Sequence, residues 1–132
     1  MTTSVPHSRR ILIVEDVQET RDAIRALLKH DGYRVDSAGD ELEAAERIRR
    51  NRPDLILISI GGTTEHVLAT AQRIRSRGGL GEQTPVVIFS VAAVPDGAEE
   101  EFNGNIHVTV PDNFNQLREL LTRVVSGFSR TH

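Results

Sequence analysis

Apolar residues along this chain fall into two kinds of pattern, short continuous runs and longer stretches with helical spacing, and the two alternate. The first run is Ile11-Leu12-Ile13-Val14, closed by Glu15 and Asp16. Between Val17 and His30 the apolar positions Ile24, Leu27 and Leu28 recur at helical spacing, and Asp31-Gly32 supplies a stop with glycine in the usual left-handed cap position. Tyr33-Arg34-Val35-Asp36-Ser37 alternates as a more exposed strand would. A charged helix follows over residues 41–51, with Leu42, Ala45 and Ile48 expected on one face. Leu55-Ile56-Leu57-Ile58 is apolar on both faces and ends in Ser59 and the loop residues Gly61-Gly62.

The alternation continues to the C-terminus. Val67, Leu68, Ala71 and Ile74 mark a third helix stopped by Gly78-Gly79, and residues 84–90 read as a strand ending in Ser90. A short helix is expected after Pro95, through Glu99-Glu100-Glu101, and a fifth strand over residues 106–110. Leu117, Leu120, Leu121, Val124 and Val125, with Phe114, define the last helix, opened by Asp112 or Asn113 with Gln116 as capping partner. Five strand signals alternating with five helix signals imply right-handed crossovers and a parallel sheet, a single doubly wound α/β domain. Residues 1–10 read as a flexible lead-in, 11–126 as the domain and 127–132 as a tail.

Composition narrows the function classes. At 132 residues the chain is long enough for one real core, and 27% charged residues suit a well-solvated surface. The absence of cysteine excludes disulfides, thiolate metal sites and cysteine nucleophiles. With no signal-like leader and no membrane-length apolar run, a cytoplasmic location is expected. Net charge is −3, and the arginines at 47, 49, 50, 52, 73, 75 and 77 have no interleaved aromatic residues, so they read as solvated helix faces rather than a nucleic-acid surface.

In a doubly wound sheet the carboxyl ends of the strands share one edge, where ligands and chemistry collect. Delivered there are Glu15 and Asp16, Ser59, Ser90, and Val110 followed by Pro111. Adjacent carboxylates suit a hard cation such as magnesium. Equally, Asp16 could cap the next helix while both acids favour its dipole.

The segments ILIVED, PDLILIS, TPVVIFS and HVTVP resemble, in order and spacing, the receiver domains of bacterial response regulators over about residues 10–125. The resemblance implies a flavodoxin-like (βα)5 fold with a five-stranded parallel sheet in the order 2-1-3-4-5. It implies that Glu15 and Asp16 match the magnesium-holding acids, Ser90 the switch hydroxyl, and Pro111 the proline after a cis peptide bond. Two positions depart from the pattern. Ser59 stands at the phosphoacceptor aspartate and Val110 at the phosphoryl-binding lysine. His107 stands where an aromatic residue often reports the switch.

A serine hydroxyl is a poor nucleophile without an adjacent base, and neither His66 nor His107 is placed by sequence as one. Loss of the lysine removes the cation that would neutralise a transferring phosphoryl group. Losing one aspartate and one lysine together leaves the pocket's formal balance unchanged. The reading is therefore a stand-alone, non-enzymatic pseudo-receiver of a two-component phosphorelay, signalling by protein contact, with magnesium bound weakly at Glu15 and Asp16.

Its partner is expected to be a sensor kinase or a downstream effector, with no direct nucleic-acid or membrane binding, and the chain a monomer or weak homodimer. The expected output surface spans residues 95–102, 106–110 and 113–125. It carries Phe102 and His107, with Phe114 and Phe128 as further aromatic candidates. Two alternatives stay open: phosphorylation on Asp16 or Glu15, and a small-ligand or anion sensor built around Ser59, Gly61-Gly62 and Ser90.

Overall fold

A computed structural model describes residues 9–59, 63–89, 99–102, 104–109 and 114–129. The expectations for Gly61-Gly62, Ser90, residues 95–98, Val110, Pro111, Asp112/Asn113 and the side chains of Phe114 and Phe128 lie outside the described residues, as do residues 1–8 of the lead-in and the last three of the tail. In chain order the elements are β1 (Arg10–Glu15), α1 (Gln18–His30), β2 (Arg34–Ala38), α2 (Glu41–Arg50), β3 (Leu55–Ser59), α3 (Thr64–Arg77), β4 (Val86–Phe89), β5 (Glu99–Phe102), β6 (Ile106–Thr109) and α4 (Phe114–Ser129). Among the described residues no helix is long and apolar enough to cross a membrane.

The sheet forms because β1 and β3 are apolar on both faces. Leu12, Val14, Ile56 and Ile58 enter one core cluster, against Ala44 and Ile48 of α2 and Val67, Ala71 and Ile74 of α3. Ile11, Ile13, Leu55 and Leu57 enter the other, against Ile24 and Leu28 of α1 and Leu117, Leu120, Leu121 and Val125 of α4. Burying each such side chain is worth about 1.5–3 kcal/mol, which helices on a single face could not supply for these strands. A bidentate pair of Arg118 with the α1 cap residue Asp31 joins α4 to α1 on the second face. Gly32 at φ 99° and Gly79 at φ 78° take the left-handed conformation after α1 and α3.

The sheet has six strands in the order β2-β1-β3-β4-β6-β5. The pairs from β2 through β6 are parallel, and β5 joins the far edge antiparallel to β6. This corrects two expectations, the five-stranded sheet and the helix through Glu99–Glu101. Those glutamates lie in β5, in a register that pairs Phe102 with Ile106 and Glu99 with Thr109. The cause is the turn between the strands, where Gly104 at φ 85° and Asn105 at φ 65° reverse the chain. The return pairing satisfies backbone groups and lets Phe102 pack half-buried on the first core cluster.

Leu42 is a second correction: it is 69% exposed rather than part of the buried face of α2. Asp40 caps this helix by accepting from the Glu43 amide, and the buried stripe is Ala44, Ala45 and Ile48. At 3.6 residues per turn Leu42 lies on the flank of that stripe.

Two polar side chains tie the outer elements together. Arg75 is 5% exposed and its guanidinium donates to the carbonyls of Thr84 at 3.0 Å and Gly104 at 2.6 Å. It thereby pins α3 to the approach to β4 and to the β5–β6 turn. Burial lowers the Arg75 pKa, while the Glu82 charge opposes that shift. On the surface, Arg73 forks Glu41 at 3.0 and 3.2 Å, bridging α2 and α3. The Arg73 hydrogen bond holds the Glu41 carboxyl below its ordinary value of 4.5.

Replacing Arg75 with Met should cost about 2 kcal/mol in urea unfolding, because two carbonyls lose a charged donor, whereas Leu42→Ala should stay within about 0.5 kcal/mol. Because its folded pKa is depressed, the Glu41 contribution is fully present above pH 4.5 and is lost as pH falls through the folded value. The stability gap between wild type and Glu41→Gln should therefore be constant near neutrality and close in acid, as read by urea titrations across pH.

Candidate functional site

The carboxyl edge of the sheet is built by register. Glu15 at the end of β1 lies opposite Ser59 at the end of β3, and Ser59 lies opposite Phe89 of β4. Glu15 is 5% exposed, and its Oε2 accepts from the Val17 amide at 3.0 Å. That bond serves the start of α1, where Val17 occupies the cap position without a side-chain cap of its own. The capping role considered for Asp16 is thus not made by Asp16, which is exposed beside the half-exposed Val17. Ser59 is half-buried.

A cation missed by sequence reasoning reaches this edge from α1. Arg21 Nη1 donates to the Glu15 carbonyl at 2.7 Å. Its guanidinium passes close over Gly39, where a Cβ would meet Nη1 at 3.0 Å. The Gly39 amide donates to Glu43 Oε1 at 2.8 Å, and this bond, aided by Arg47, holds the Glu43 carboxyl below its ordinary value. The available signal was a basic residue early in the helix that follows the acid pair. Its reach back to a strand-end carbonyl depends on how α1 docks, which spacing alone does not give.

On the other side of β3, Thr63 opens α3, its Oγ1 accepting from the His66 amide at 3.1 Å. His66 is exposed on the first turn. His107 is half-buried in β6, with Nε2 3.1 Å from Asn105 Oδ1, so the proton on that bond belongs to the imidazole nitrogen. The Asn105 amide nitrogen donates in turn to the Glu82 carbonyl at 3.0 Å. The structure therefore brings Glu15, Asp16 and Ser59 to one edge, with Arg21 beside them. Phe102 and His107 are on the β5–β6 hairpin.

A magnesium ion needs several oxygen donors, carboxylates above all. Among the described residues the edge offers the remaining oxygen of Glu15, the exposed carboxylate of Asp16 and the neutral hydroxyl of Ser59. Among the described residues no three Asp, Glu or His side chains converge. This donor set fits a dedicated magnesium site poorly.

The family model for the response regulator receiver domain matches residues 11–124. The chain belongs to the response regulator receiver-domain family. Within two-component signalling, its relatives include response regulator MprA of Mycobacterium leprae, 29% identical over 130 residues that cover 92% of this chain and 52% of that protein. MprA of Mycobacterium ulcerans is 30% identical over 132 residues, covering 94% of this chain and 52% of that one. The chain thus spans about half the length of these curated relatives.

Solved receiver structures share the flavodoxin-like α/β fold. The receiver domain of the hybrid histidine kinase CckA aligns with a TM-score of 0.64 and 22% identity, covering 88% of this chain and 98% of that one. Response regulator TrrA of Thermotoga maritima, solved with Mg(2+)-BeF, gives 0.63 and 20%, covering 88% and 98%. These likenesses carry the fold.

If Glu15 serves mainly to hold the start of α1, Glu15→Ala should destabilise the receiver by about 1–2 kcal/mol, and Glu15→Gln, which keeps an acceptor oxygen, by less. Urea denaturation of the two variants beside wild type measures the difference.

Proposed function

We propose that this receiver domain signals through protein contacts without phosphorylation of an aspartate at the end of β3. The observation that supports this reading is the pairing at the strand ends. In register with Glu15, β3 delivers the hydroxyl of Ser59, and among the described residues no histidine is seen beside it to take its proton. A hydroxyl without a base is a poor nucleophile toward phosphohistidine or a small phosphodonor. Val110 at the lysine position adds an apolar side chain where charge neutralisation is needed. On this reading Glu15 and Asp16 hold magnesium weakly, and the hydrogen bond from Val17 to Glu15 gives the acid pair a structural task.

Output then depends on a surface rather than on acyl-phosphate chemistry. The β5–β6 hairpin and α4 form our candidate face toward a sensor kinase or an effector, with Phe102 and His107 on the hairpin. TrrA, solved also in complex with the histidine kinase ThkA, aligns with a TM-score of 0.67 and 21% identity, covering 88% of this chain and 97% of that one. That complex is an example of such contact within the fold. A competing reading places the phosphoryl group on Asp16, and it draws on that residue's exposure.

Incubation with acetyl phosphate and magnesium, followed by intact-mass measurement, should leave the protein unmodified. A stoichiometric phosphoryl adduct would overturn the proposal, and peptide mapping would assign it to Asp16, Glu15 or Ser59. Ser59→Asp should restore a third carboxylate beside Glu15 and give a larger magnesium-induced thermal shift than wild type shows.

A further inference from the structure

The arginines of α2 and α3 do not all serve the same purpose. Arg75 is buried in its structural role, and Arg47 pairs with Glu43 on its own helix at 3.3 Å. Arg49, Arg50, Arg52, Arg73 and Arg77 remain at the surface. Both helices return the chain to the amino ends of the strands, so their C-terminal turns lie at the sheet edge opposite Ser59. Arg49 bridges those turns, its Nη2 donating to the Arg77 carbonyl at 3.2 Å. The acids of α2 and α3 are Glu41, Glu43, Glu46 and Glu65, against the arginines at 47, 49, 50, 73, 75 and 77; Asp54, in the loop before β3, is 4.0 Å from Arg9. A molecule of net charge −3 therefore carries a local cationic face.

Glu41 shows how that face receives a carboxylate. Arg73 forks it at 3.0 and 3.2 Å, while Arg77 Nη1 stands 3.7 Å from the same Oε2, beyond hydrogen-bond distance. Two guanidinium groups thus share one carboxylate. Arg50 and Arg52 have no ion-pair partner among the described residues. Arg73 and Arg77 also flank an open groove of about 410 Å³ along α3, lined further by Ala69, Gln72 and Ser76. Gln72 and Ser76 add neutral hydrogen-bonding groups, and Ala69 leaves room for a chain to approach.

From this geometry we infer that the α2–α3 face docks an acidic segment of a partner protein, with carboxylates of that segment completing the coordination that Glu41 begins. Guanidinium forks match carboxylates in planar, bidentate fashion, and a surface of this sign speeds encounter with an acidic partner. The inference adds a partner surface to the contact-signalling reading. It stands apart from the strand-end site, because it uses side chains on the outer surfaces of α2 and α3 rather than Glu15 and Ser59, and its charge does not depend on phosphorylation.

The test is fluorescence anisotropy of the unphosphorylated chain with a labelled Asp/Glu-rich peptide and its Asn/Gln counterpart, at low and physiological ionic strength. The acidic peptide should bind and the neutral one should not. Arg77→Glu and, separately, Arg52→Glu should weaken binding by about tenfold, whereas Arg25→Glu, the same charge change on α1, should stay within about twofold. Circular dichroism of each variant reports folding, and two independent reversals guard against one that misfolds. Absence of binding at low salt, an equal loss with Arg25→Glu, or tighter binding to a DNA duplex than to the acidic peptide would overturn the inference. Repeating the titration after acetyl phosphate treatment separates this outcome from that of the strand-end proposal.

Discussion

Two strands apolar on both faces constrain everything else in this receiver. β1 and β3 each send alternate side chains into opposite clusters, so neither face can be left to water. The chain must return over both faces between strands, which places α2 and α3 on one side and α1 and α4 on the other. Polar residues can then enter β1 and β3 only at their ends. Glu15 and Ser59 are side by side for that reason, and the candidate site follows from core burial before any chemistry is considered.

The two edges of the sheet carry different electrostatic logic. At the carboxyl edge, charge is tied into local structure: Glu15 accepts from Val17, Arg21 donates to the Glu15 carbonyl, and Glu43 accepts from Gly39. Those bonds stabilise the starts of α1 and α2 and leave Asp16 as the exposed acid of the pair. Toward the amino edge Arg49, Arg50 and Arg52 stand at the surface, and along the α2–α3 surface Glu41 is shared between Arg73 and Arg77.

Periodicity made most of the architecture legible because burial repeats with secondary structure. Ile24 and Leu28, Val67, Ala71 and Ile74, and Leu117, Leu120, Leu121 and Val125 of α4 are buried as their spacing requires. It failed at β5, where three consecutive glutamates favoured a helix and the neighbouring Asn103-Gly104-Asn105 favoured a hairpin. Turn geometry and the pairing with β6 prevailed, since a helix there would forgo both the ladder bonds and the observed seat of Phe102. Leu42 failed for a smaller reason: one residue of angular offset moves a side chain from the buried stripe to its flank.

The sequence by itself determined the α/β domain class, the two-faced core strands and the residues Glu15 and Ser59 at the ends of β1 and β3. Those properties depend on apolar period and on local stops such as Gly32 and Gly79, which act over a few residues. Only the tertiary structure decided that Glu15 turns to the Val17 amide, that Arg21 reaches a strand-end carbonyl, and that Arg75 joins Thr84 to Gly104. It also decided that residues 99–102 extend the sheet. Each of these is a long side chain or backbone segment choosing among several partners. The choice is made by which groups packing has left without water, and a linear pattern does not encode that.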